Sequence, residues 1–166
     1  MHFPASPSNA LPQLVFKENF QLFLNNEELA LGYFPPAHTD TDIYVHFQNA
    51  NVLHVGDTFF NGFYPFIDAS TGGNIKGMIA ATETALRLAT SDTKIVPGHG
   101  PLGDKPSLTK WYDMLSVVRD RVQKQKATGK TLQEVVDAKP TADFDSSWGN
   151  GYFKPDFFVT LVYTTL

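Results

Sequence analysis

The 166-residue sequence contains no cysteine. That removes disulfide frameworks and thiolate metal sites from consideration, while leaving the redox compartment open. A long apolar run is also missing: no stretch approaches the roughly 20 residues that a membrane helix needs. The opening MHFPASPSNALPQ shows no basic segment leading into an apolar one. Basic excess is absent too. Thirteen Lys and Arg against 17 Asp and Glu give a net charge of -4, so neither nucleic acid nor an anionic membrane surface is an expected partner. No repeat of solenoid period and no low-complexity tract appears. What is present is a chain of 42% hydrophobic and 18% charged residues, a globular composition long enough for one domain with a sizeable core.

Residues 1–12, rich in Pro, Ser and Asn, read as a linker-like segment, and 13–166 as a single domain. Short strands are expected at LVF (14–16), FQLFL (20–24) and ELAL (28–31), the last two joined at Asn25-Asn26 as a hairpin. Ile43, Val45 and Phe47 alternate with Tyr44 and His46, and VLHV follows across Gln48–Asn51, which predicts a second hairpin. Ile75, Met78, Ile79, Thr82 and Leu86 recur at helical spacing, predicting an amphipathic helix over 74–89. After a strand at TKIVP, Leu108, Trp111, Tyr112, Leu115, Val118 and Val122 form one apolar stripe behind an expected N-cap at Ser107, with Gly129 as the stop. Thr131 and Glu134 make a capping box for a short helix ending before Pro140. The final DFFVTLVYTTL is pulled toward strand by its β-branched residues and toward helix by Pro155 and the spacing of Phe157, Phe158, Leu161 and Val162; it reads here as helix.

Three polar residues stand at expected strand ends beside Gly, Pro or Thr: His38 in PPAHTDTD, Asp57 in HVGDTFF and His99 in IVPGHGP. Such ends are where a rigid scaffold presents chemistry. Imidazole and carboxylate are ligands for zinc and other first-row divalent ions, and a carboxylate can bridge two ions through its two oxygens. By spacing alone the signal is weak, since no local H-E-x-x-H or C-x-x-C pattern accompanies it. Plain alternatives exist: His38 as a loop hydrogen-bonder, Asp57 as a turn or capping residue. His99, fenced by glycines and prolines, has the fewest. Asp40 and Asp42 read as loop residues capping backbone amides, His46 and His54 as surface or cross-strand residues, Trp111 and Tyr112 as core, and Lys76, Arg119 and Arg121 as solvated helix faces.

The ordered series PPAHTDTD, NVLHVGDTFF and KIVPGHGP, with a helix between the second and third, resembles the C-terminal half of the metallo-β-lactamase fold superfamily. The resemblance runs from about Leu11 to the C-terminus. It implies an α/β fold of layered α+β type: half of an αββα sandwich, one mostly antiparallel sheet with two to four helices. It further implies a metal-dependent hydrolase in which the A-H-T histidine, His38, binds one zinc or other divalent ion, the P-G-H-G histidine, His99, binds a second, and Asp57 bridges them. The loop NGFYPFID, ending at Asp68, resembles the family segment on the substrate side. The family's H-x-H-x-D-H motif is absent: the remaining histidines are His2, His46 and His54. The N-terminal half of the sandwich is therefore expected to be missing, and each ion would keep one histidine and a share of Asp57, against the three protein ligands usual at a catalytic zinc.

Besides a half-fold assembled across two chains into a weak metal site, which would need His38, Asp57 and His99 of neighbouring chains to converge, two functional readings follow. One is a truncated or incomplete hydrolase of this superfamily, retaining part of a dinuclear site that in complete form cleaves an ester, thioester, lactone or phosphoester of a small-molecule substrate. Asp57, standing where some β-lactamases of the family carry cysteine, favours those substrates over β-lactams. The other is a non-catalytic half-fold acting as an interaction module. Half a sandwich leaves one apolar sheet face without a partner, so a homodimer, or association with the missing half, is expected.

Overall fold

The structure is a computed structural model and describes residues 4–166; His2 and the first residues of the linker-like segment lie outside that range. Five strands form one sheet in the order β1 (Asn19–Leu24), β2 (Glu27–Tyr33), β3 (Ile43–Phe47), β4 (Val52–Phe60), β5 (Lys94–His99). Neighbours are antiparallel except β4 and β5, which run parallel. The β1–β2 turn places Asn25 and Asn26 at φ 53° and 58°, the left-handed pair that a two-residue hairpin of matching twist requires. The parallel step needs a crossover, supplied by α1 (Ile75–Leu88). Four more helices follow: α2 (Lys105–Ala127), α3 (Leu132–Asp137), α4 (Asp145–Trp148) and α5 (Pro155–Thr164).

Several expectations meet the structure as stated. The helix expected over 74–89 forms as α1, and Asn74 proves to be its cap, with Oδ1 accepting from Gly77 N; Thr131 and Glu134 form the capping box of α3; and the C-terminal segment is helical with Pro155 in its first turn. Others change. The segment LVF forms no strand: the chain bends at 17–18, the β1–β2 ladder ends at the Asn19–Gly32 pair, and Leu14 and Val15 are exposed. The cap of α2 is Asp104, three residues before the expected Ser107, which instead sits at N3 and closes a reciprocal box with it. Helices number five among the described residues rather than two to four, because α4 is a single turn without an apolar period of its own. Arg121 is more than a solvated face: it donates to the Asp143 carboxylate and to the Pro140 carbonyl, 2.8 Å away, tying α2 to the chain before α4.

The two sheet faces differ. On one, Leu53, Val55 and Ile95 are buried beneath α1 and α2, with α5 packed on α2, in a core that includes Trp111, Met114, Leu115, Val118 and Phe158. Side chains alternate along strands, and cross-strand partners share a face. The pairs Phe20–Leu31, Leu31–Val45 and Val45–His54 therefore place an apolar row on the opposite face, and Leu22–Leu29, Leu29–Phe47 and Phe47–Val52 place a second beside it. Helix packing is concentrated on β4 and β5. The apolar residues of these rows are only half-buried, and His54, Ile43 and Tyr33 beside them are exposed.

Candidate metal centre

His38, Asp57 and His99 come together at the carboxyl end of the parallel pair. His38 is carried by the loop between β2 and β3, Asp57 by β4, and His99 by the last residue of β5. Asp57 lies within β4 rather than at its end, because the strand runs on to Phe60. It is turned toward the site where the register shifts between His54, Gly56 and Phe60, with Gly56 at φ 54°. A bulge of this kind re-aims a side chain without ending the strand.

The Asp57 carboxylate stands between the two imidazoles. Its Oδ2 is 3.4 Å from His38 Nε2, and its Oδ1 is 3.4 Å from His99 Nε2. His38 Nδ1 lies 2.9 Å from the Phe66 carbonyl oxygen. A carbonyl can only accept, so that contact places a proton on Nδ1; in the neutral tautomer the metal-ligating lone pair then belongs to Nε2, on the Asp57 side. The His38 loop is itself held. Asp68 N donates to His38 O, and the Asp42 carboxylate accepts from Thr39 N and Thr39 Oγ1, as expected of a capping residue. Asp40 is exposed, and Asp68 caps the short turn after it by accepting from Ser70 N.

His99 is fixed by stacking and by backbone. Its ring lies 4.7 Å from that of Phe60 with 20° between the planes, and its carbonyl accepts from Asn61 N. The flanking glycines have separate causes. Gly98 lies against Asp57, so that a Cβ there would fall inside the carboxylate Oδ1; Gly100, at φ 95°, packs on the Asn61 carbonyl in a conformation that L side chains rarely adopt. Exposure rises across the trio, from 15% for the His38 side chain through 37% for Asp57 to 59% for His99.

In kind, these donors suit a divalent metal: two imidazole nitrogens, one with its tautomer set by an outer partner, and a carboxylate offering one oxygen to each. In number they fall short. The imidazoles address opposite oxygens, and among the described residues no group of three or more His, Cys, Asp or Glu is placed to hold an ion. His54 is exposed on the opposite sheet face, along a groove that His38 and Asp57 also line, and His46 lies across from Leu53 on the helix side; among the described residues neither joins the trio in a ligand group.

The site opens into a cleft of about 530 Å³ lined by His38, Asp57 and His99 at one end and by Phe60, Phe66 and Phe153 along its wall. Its rim includes Tyr152, which sequence reasoning missed. The signal is present in G-N-G-Y-F-K-P (149–155), aromatic residues framed by glycine and proline as His99 is.

A sequence profile described as the metallo-beta-lactamase superfamily matches residues 2–100, a span that ends one residue beyond His99. The chain belongs to the metallo-β-lactamase superfamily. Similar solved structures include the stereoselective inverting sec-alkylsulfatase Pisa1 from Pseudomonas sp., at TM-score 0.72 and 15% identity over 93% of this chain and 26% of the other. A double mutant of the sec-alkyl sulfatase PisA1 gives TM-score 0.73 and 17% identity with the same coverage. A metallo-beta-lactamase from Pontibacter korlensis gives TM-score 0.53 and 18% identity over 63% of this chain and 49% of the other. At these identities the likeness is one of fold. The chain thus spans about a quarter of the sulfatase and about half of the Pontibacter enzyme. Among curated proteins none matches it by sequence. Within the metallo-β-lactamase superfamily, then, this chain carries a five-stranded layer with helices on one side and the trio at its edge.

Proposed function

We propose that His38, Asp57 and His99 form one half of a dinuclear zinc centre of a hydrolase acting on an ester, thioester, lactone or phosphoester, the other half being supplied by donors this sequence lacks. The observation that carries this reading is the position of Asp57, with one oxygen turned to each imidazole Nε2. When bound, a pair of divalent ions lowers the pKa of a shared water and stabilises the negative charge that develops on the substrate. This chain's own residues orient and exclude: the Phe66 carbonyl sets the His38 tautomer, Phe60 holds the His99 ring, and the aromatic wall keeps bulk water from one side.

The reading is tested by titrating the EDTA-stripped chain with zinc at neutral pH, following the His38 and His99 ring nitrogens by NMR. Uptake with shifts at both Nε2 atoms, weakened about tenfold or more by either His38→Ala or His99→Ala, is the expected result. Uptake indifferent to both substitutions, or none up to millimolar zinc, sinks it. Acidic buffer would mask binding, because histidine ligates only when neutral.

A second reading is favoured by the half-buried apolar rows on β1–β4: a half-fold that pairs with a second copy through that face and acts as an interaction module without hydrolysis.

A further inference from the structure

We propose that the cleft beside the trio receives an uncharged aryl or alkyl group of the substrate, held by Phe66 and Phe153 with Tyr152 at the rim. This rests on the hydrolase reading above and adds to it the class of group that flanks the bond to be cleaved.

The wall is a continuous aromatic series. The Phe66 ring meets the His38 imidazole edge-on at 5.9 Å and stacks on Phe153 at 5.5 Å with 23° between planes; Phe153 stacks in turn on Phe157 at 5.3 Å. Tyr152 stands against Phe153 at 85° and is 91% exposed. A tyrosine presented to water at the mouth of a cleft, with its neighbour's ring behind it, is a surface waiting for apolar area to cover.

The charge pattern points the same way. Among the described residues Asp57 is the only carboxylate on the lining, and it sits with the two imidazoles at one end; none of the described lysines or arginines lines the cleft to neutralise an anionic group farther along. A carboxylate, phosphate or sulfate on the non-reacting part of a substrate would be desolvated there without a partner, which is costly. An alkyl chain or a ring would gain from the same burial.

The wall is also pre-organised. Tyr64 N donates to the Trp148 carbonyl at 3.0 Å, and Tyr64 Oη donates to Asp145 Oδ1 at 2.8 Å. Gly151 lies so close to Phe63 that a Cβ would overlap the ring. The 61–68 loop is thus tied to α4 and packed on the 149–153 loop that follows it, so the two sides of the wall are held together and little ordering is left to be done on binding.

The test uses the full chain in EDTA, so that metal is out of the measurement. 2-Naphthol and octan-1-ol serve as uncharged probes, and methyl phosphate and choline as charged ones, each titrated by calorimetry. The uncharged probes are expected to bind and the charged ones not to. Tyr152→Ser is expected to weaken 2-naphthol by about fivefold, and Phe153→Ala by at least as much. Because Tyr152 is almost wholly exposed, its substitution reads the cleft without endangering the fold. Failure of 2-naphthol to bind, affinity unchanged in Tyr152→Ser, or methyl phosphate binding as tightly would overturn the proposal. Zinc uptake, measured separately, should be the same in Tyr152→Ser as in the parent chain. Apolar binding that survives where zinc uptake fails would overturn the hydrolase reading and leave the cleft's preference standing.

Discussion

At the scale of single residues, the trio and its supports divide by legibility. His99 and Asp57 announce themselves through glycine and proline neighbours, and the structure gives the physical reason for one of these: Gly98 has no room for a side chain beside the Asp57 carboxylate. The Phe66 carbonyl that fixes the His38 tautomer could not be read, because a backbone oxygen 28 residues away leaves no mark on composition or period. His46 was equally opaque. Alternation places it on a strand, but which face it occupies depends on its pairing with Leu53. Its Nε2 is buried with no hydrogen-bond partner among the described residues. Burial pushes its pKa below the usual 6.5, against the opposing pull of Glu27. For such a histidine the folded state holds the neutral ring and the unfolded chain takes the proton first. Its contribution to stability is therefore full above about pH 6.5 and falls as pH drops toward the depressed value. Urea unfolding of the metal-free chain between pH 7 and 5 should show a shallower loss of stability for His46→Leu than for the parent, and parallel slopes would refute the assignment.

At the scale of elements, local signals served well where a cap or a turn decides the boundary, as at Thr131 with Glu134 and at Asn25-Asn26. They served less well at LVF, where β propensity exists but no neighbouring strand receives it, and at α4, which tertiary contacts hold in place. Asn74 shows how a boundary residue reaches the site. Its Oδ1 caps α1, while its Nδ2 donates to the Pro36 carbonyl at 3.0 Å, two residues before His38. Asn74→Ala should lower stability by about 1 kcal/mol, read as a reduced urea midpoint at unchanged slope, and should broaden the NMR signals of the 36–39 backbone. A full-length midpoint within error of the parent would show that the cap does not support this loop.

At the scale of the whole molecule, the order of three motifs along the chain was enough to indicate the superfamily, because each stands at one end of the same sheet. Which face stays open was not legible in any one strand; it emerges only when the registers of four strands are combined. If that face mates with a second copy, as in the second functional reading, sedimentation equilibrium at micromolar concentration should return a dimer. Val45→Lys, which sets a charge in the middle of the apolar rows, should return a monomer. A parent chain that stays monomeric removes that reading. The lone parallel step bears on folding as well. Strands β1 and β2, and β3 and β4, meet through short turns and β2 meets β3 across the 34–42 loop, whereas β5 reaches β4 only after the chain has run through residues 61–93 and built α1. Loop closure of that length makes the last pairing the slow one. Asp57 and His99 ride on the two strands that join in that step, so in a refolding experiment with pulsed hydrogen exchange the β2 and β3 amides should gain protection before those of β5. Simultaneous protection would contradict it. The chemistry of this protein would then be the last thing its folding assembles.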